Sequence, residues 1–180
     1  MNPEKLTSKF KSALNDAQSL ALAKDHQFIE ATHLLLAMME QAGGSISPLL
    51  MQAGLNNVAI REALNKELQN MPSVSGINGD VQISNELGKL LNFSEQLAQK
   101  NNDSFVASEM FLLAACESKG QLGSLLKQAG VNIAIINQAI KDARGGENVH
   151  DENAEEQRNA LTKYTMDLTE RAEQGKLDPV

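Results

Sequence analysis

Apolar residues recur at three- and four-residue steps through most of this chain, the spacing that gathers them on one side of an α-helix. In the first such stretch Phe10, Ala13, Leu14, Ala17, Leu20 and Ala21 form the stripe, and either Asn2-Pro3 or Thr7-Ser8 could open the helix. Leu34 to Met39 are apolar nearly all round, which predicts a second helix with no wet face, central in its domain and ended by Gly43-Gly44. Ser47-Pro48 predicts the start of a short third helix that stops at Gly54. Asn56 or Asn57 then caps a fourth, which carries Ile60, Ala63, Leu64 and Leu68.

The same order then returns. Leu87, Leu90, Leu91, Ser94, Leu97 and Ala98 repeat the first stripe behind Ser84 as N-cap and Glu86 in the first turn. Phe111 to Cys116 repeat the all-apolar helix, Gly120 and Gly130 repeat the stops, and Asn132 caps a last helix with Ile136, Ala139, Ile140 and Ala143. Letter by letter, FIEATHLLLAMME from Phe28 reappears as FVASEMFLLAACE from Phe105, and LNDAQSLA from Leu14 as LNFSEQLA from Leu91, both at an offset of 77. SPLLMQAGLN from Ser47 reappears as GSLLKQAGVN from Gly123 at 76. A period this long marks a duplicated multi-helix unit packed on its own copy, not a solenoid of short repeats.

No convincing strand pattern is present, so the predicted fold is all-α: eight helices in two pseudo-twofold sets of four. Repeat one covers about 1–71 and repeat two about 80–143, joined by the Gly- and Ser-rich loop Pro72 to Ile83. Past Ala143, Gly145-Gly146 breaks the helix, and ENVHDENAEEQ is polar and mainly acidic, which predicts a mobile tether over 144–156. A helical stripe then resumes at Leu161, Tyr164, Leu168 and Ala172 with no obvious surface to pack on. Residues 157–180 therefore read as the truncated start of a further module.

Composition narrows the function. The chain is 42% hydrophobic but only 3% aromatic, with no Trp, and Leu, Ala, Ile and Met favour helices over strands. A net charge of −7 provides no broad field for nucleic acid or an anionic membrane. The apolar runs fall well short of the roughly 20 residues of a membrane span. MNPEKLTSKF lacks the basic-then-apolar order of a signal peptide, and the single Cys116 fits a reducing, cytoplasmic compartment.

Candidate chemistry is sparse. There is no G-x-x-x-x-G-K-[ST], so Gly43-Gly44 and Gly145-Gly146 read as helix stops and not as phosphate loops. His26, His33 and His150 form no H-x-x-x-H, and one cysteine cannot complete a zinc set, so no metal or cofactor is expected. His33, at the start of an apolar helix, reads as a packed or hydrogen-bonded side chain, and Cys116 as a small core residue. No enzyme site assembles, which leaves binding.

Positions that differ between the copies are released from their shared packing demand. Phe93 stands where repeat one has Asp16, Met110 for His33, Phe111 for Leu34, Asp103 for His26 and Glu109 for Thr32. Extra apolar bulk beside two added carboxylates suits a groove for unfolded or basic-apolar peptide. Equally, Phe93 and Met110 could cover the seam between the repeats, with Asp103 a turn residue and Glu109 a first-turn helix carboxylate.

The double unit, with its FIEATHLL and FVASEMFLLA helices and paired QAG stops, resembles the Clp N-terminal repeat domain. The tail RGGENVHDENAEEQRNALTKYTMDLTERAEQGKLDPV, from Arg144 to Val180, is similar to the junction into the first ATPase module of the bacterial disaggregases of that family. The resemblance covers essentially the whole chain. It implies a pseudo-twofold, eight-helix domain that engages unfolded or aggregated polypeptide and passes it to a hexameric, ATP-driven threading ring working with the Hsp70 system. ATP and magnesium would belong to that ring, and this stretch would be a monomeric, non-enzymatic part of it. The resemblance also implies Thr7, Asp103 and Glu109 as substrate-related surface positions, and Phe93, Leu97 and Met110 as an apolar groove between the repeats. The alternative within the family is the adaptor-binding N-terminal domain of a protease-coupled unfoldase.

Overall fold

The computed structural model describes residues 2–76 and 81–158, so the stripe from Leu161 to Ala172, and with it the expected further module, lies outside the described residues. Repeat one contains α1 (Ser8–Ala23), α2 (Ala31–Glu40), α3 (Ile46–Gln52) and α4 (Asn57–Asn70). Repeat two contains α5 (Asn85–Lys100), α6 (Ser108–Glu117), α7 (Gln121–Gln128) and α8 (Ile133–Arg144). Both candidate starts at the N-terminus are used: Asn2 caps a 3-10 turn, Pro3–Lys5, and Thr7 caps α1. Ser47-Pro48 does not open α3, which begins at Ile46; Pro48 sits in its first turn, where a missing N–H loses no helical bond.

The duplication extends to the caps. Thr7 Oγ1 accepts from the Phe10 N–H and its counterpart Ser84 Oγ from the Leu87 N–H. Asn56 and Asn132 do the same for α4 and α8. The turns after α1 and α5 both pass through a left-handed residue, Asp25 (φ 55°) and its counterpart Asn102 (φ 59°). Short polar side chains tolerate that conformation best after glycine.

Two short strand contacts, absent from the sequence reading, stitch the copies together. β1 (Phe28–Ile29) pairs in parallel with β2 (Gln82–Ile83), Ile29 opposite Ile83, and Leu6 bridges Val106. At the 77-residue offset Ile83 is the counterpart of Leu6 and Val106 of Ile29, so the leading segment of each repeat pairs with the other repeat. The Thr7 N–H donates to Val106 O and the Ser84 N–H to Ile29 O, both at 3.1 Å. Strands of two residues are too short to show alternation.

α2 and α6 are buried along almost their whole length and form the centre. Phe10 on α1 meets Phe111 on α6 edge to face, with ring centroids 6.1 Å apart, which joins the two halves of the core. α3 packs on α8, and α4 on α7.

Residues 144–156, expected as a mobile tether, lie against the domain instead, and Arg158 just after them does so too. Gly145 (φ 59°) and Gly146 (φ 86°) are both left-handed, and this turn sends the chain back across the N-terminal ends of α6 and α1. Val149 is buried and Glu155 fully so.

Candidate functional site

Three of the six candidate residues meet beneath this returning strap. Thr7 Oγ1 donates to Glu155 Oε2 at 2.8 Å. Glu155 Oε1 accepts from the Ser108 N–H at 2.7 Å and from Ser45 Oγ at 3.3 Å. Glu109 accepts from Arg144 Nε and Arg158 Nη1, each at 3.0 Å. Asp103 accepts from Arg144 Nη1 at 2.9–3.0 Å and from the Val149 N–H at 3.0 Å. Val149 O in turn accepts from the Ser104 and Phe105 N–H groups.

The network follows from how each copy closes its central helix. In repeat one the Glu30 N–H donates to His33 Nδ1 at 2.8 Å. The counterparts in repeat two are Ala107 and Met110, and Ala107 makes no side-chain cap to α6. Glu155 instead brings a carboxylate to this helix end from outside the repeat, on a different donor, the first N–H of α6.

Electrostatics separates the two buried acids. Burial alone would push the Glu109 carboxyl up, but Arg158 and then Arg144 outweigh it and hold the group at about 2. Glu155 is pushed up to about 7, by burial first and by the neighbouring Glu109 charge second, against its bonds to Thr7 and Ser108. Burial would lower the Arg144 guanidinium, but Glu109 and Asp103 raise it.

The placement corrects the picture of an acid-rimmed groove. The Asp103 and Glu109 side chains are fully enclosed and ion-paired, and Thr7 has no exposed surface. Met110 is fully buried as well, with its sulfur accepting from Asn101 Nδ2. Phe93 and Leu97 on α5 are half-buried against the core. Phe93, Leu97 and Asn101 follow at four-residue steps, hence on one helix face. That face leads to a cleft of about 220 Å³ lined by Asn101, Met110, Ile140, Arg144, Gly146 and Asn148. A second cleft between the repeats, of about 500 Å³, carries Glu30, Glu67 and Glu86 but none of the six candidates.

Sequence reasoning missed Arg144, Glu155, Arg158, Ser45 and Val149. The one available signal was Val149, an apolar residue alone in a polar stretch. Burial, then Glu117, pushes the Cys116 thiol up to about 12, which removes its thiolate. Among the described residues no cluster of His, Cys, Asp or Glu could hold a metal, and no helix is long and apolar enough to cross a membrane.

Known proteins place this architecture. The Clp repeat (R) N-terminal domain matches residues 5–129. Chaperone protein ClpB of Vibrio cholerae serotype O1 is 52% identical over 180 residues, which cover 100% of this chain and 21% of that protein. ClpB of Pseudomonas putida is 51% identical over the same share of each. The chain thus spans about a fifth of the length of these curated relatives. Among solved structures, the Hsp104 N-terminal domain from Candida albicans superposes with a TM-score of 0.75 at 22% identity, over 84% of this chain and 99% of that one. A ClpV N-domain in complex with a VipB peptide superposes at 0.61 and 21% identity, over 77% and 86%. With more than half its length matched, and with the duplicated helices in place, the chain belongs to the Clp repeat N-terminal domain family.

Proposed function

We propose that this domain captures unfolded or aggregated polypeptide on an apolar strip between its repeats and hands it to a hexameric, ATP-driven threading ring that works with the Hsp70 system. One observation carries the reading: Phe93 and Leu97, side by side on α5, are half-buried in a domain whose other inward-facing apolar side chains on that helix are buried. Misfolded chains present apolar segments, and a partly exposed strip holds them by desolvation without reading sequence. Weak attachment suits a step that must release its cargo, and several tethered copies on one ring convert it to avidity. The ClpB relatives favour this over an adaptor-binding domain of a protease-coupled unfoldase. The ClpV N-domain solved with a peptide gives a precedent for peptide binding on this fold.

Leu97→Asp places a charge on the strip at a position that is not fully buried. Titration NMR with casein, an unfolded polypeptide, is expected to show binding to the wild-type chain and at least fivefold weaker binding to the variant, with the dispersion of a folded domain kept. Unchanged affinity would remove the strip from the site. Met110→Glu is a poor probe, because that side chain is wholly enclosed and a buried carboxylate would destabilise the domain itself.

A further inference from the structure

Residues 147–158 are held chiefly by polar contacts, the strongest of them Arg158 on the enclosed Glu109 and the Val149 N–H on Asp103, so lifting the segment must also release these. Val149 is their one buried hydrophobic side chain. The Ser8 N–H donates to Glu152 O, Ser8 Oγ to Asn153 Oδ1, and Ser104 Oγ bonds His150. Lys11 stands 3.9 Å from Glu152. The deepest contact is Glu155, whose hydrogen-bond donors, Thr7, Ser45 and the Ser108 N–H, are all neutral. Among the described residues no cation bonds this carboxylate, and an enclosed carboxylate beside a second one is a weak anchor. Segments with few buried apolar contacts open locally well below the free energy of global unfolding.

The same segment covers the candidate site. Thr7, Glu109 and Met110 have no exposed surface while it is down, and Gly146 to Asn148 form one wall of the cleft that Met110 lines. We propose that residues 147–158 are a gate: latched by Glu155 over Thr7, Asp103 and Glu109, they occupy the ground an unfolded chain takes beside Leu97 and Met110, and full capture requires them to lift. This rests on the client-capture reading above.

The latch responds to pH. Its carboxyl titrates higher when enclosed than when released, so closure is favoured most below the ordinary carboxylate range and weakens as pH rises to about 7. The charged groups facing it are Glu109 from α6, with Asp103 and Arg144 behind it, and Arg158 from the strap. Lys11 of α1 faces Glu152 further along the strap, and His150 belongs to the strap itself. His150→Gln, which removes the strap's other contact through Ser104, is the control.

The test locks the gate. Ser8 Oγ and Asn153 Oδ1 are 2.9 Å apart, which puts the two side chains in contact; Ser8→Cys with Asn153→Cys is oxidised to fasten the strap, disulfide formation being checked by thiol titration, and buried Cys116 stays out of the reaction. The oxidised chain is expected to bind casein at least fivefold more weakly than the reduced one, with reduction restoring wild-type affinity. Independently, Glu155→Ala is expected to tighten casein binding and to lower hydrogen-exchange protection of the Ser8 and Ser104 amides. Equal binding by cross-linked and reduced chains, still abolished by Leu97→Asp, would overturn the gate and leave the apolar strip standing. Absence of binding in both states would overturn the capture reading and the gate with it.

Discussion

Arg144 is the residue on which the polar site turns. It ends α8 with 8% of its side chain exposed and serves two enclosed carboxylates, Asp103 and Glu109. A cation in the last turn also meets the negative end of its own helix. Removing one partner of a buried ionic group leaves the others desolvated without compensation, at a loss of about 3–5 kcal/mol. Arg144→Ala is therefore expected to destabilise the domain by that order in denaturant unfolding, more than any loss from the exposed pair Lys5–Glu95. Asp103 and Glu109 were found from the sequence because they differ from His26 and Thr32 in the other copy. Their partners were not, because Arg144 and Arg158 reach them across 35 to 49 residues, and no periodicity encodes that distance.

Elements are joined by a smaller device in repeat one. His33 Nδ1 accepts the Glu30 N–H, so the ring proton sits on Nε2 and donates to His26 Nδ1 at 2.8 Å. The pair ties the turn after α1 to the start of α2 and is buried. Burial first, and the neighbouring His26 second, bring His33 down to about 4. A histidine lowered this way contributes stability above its unfolded value near 6.5, and that contribution is lost as pH falls through about 4. The loss is on the order of 3 kcal/mol. Wild-type stability is expected to fall relative to His33→Gln between about pH 6.5 and 4 in chemical denaturation, and nitrogen NMR is expected to find the Nε2–H tautomer in both rings. Glu155 works in the opposite sense over much of that window, since its stabilisation grows as pH falls. The two effects separate only in the single variants.

At the scale of the whole molecule the repeats are not two beads. Each lends its leading segment to the other, and the Phe10–Phe111 contact crosses the seam between them. One shared core predicts one unfolding transition. Phe111→Ala, at a fully buried position, is expected to lose about 3–5 kcal/mol and to lower the exchange stability of α2 amides as much as that of α6 amides. Protection lost in α6 alone would mean the repeats unfold separately.

The helices, most of their caps and their duplication are legible along the chain, because helix formation and capping depend on residues within a few positions of one another. The sequence also marked Phe93, an apolar residue where the other copy has Asp16, whereas Leu97 entered the site only through the family resemblance. Which polar groups are enclosed is settled only by the folded chain. Residues 145–158 look solvated by composition, yet two left-handed glycines turn them back. A helix end lacking its own cap then takes Glu155 from beyond the repeat. Burial of polar groups is set by partners in space, and those partners lie far apart along the chain.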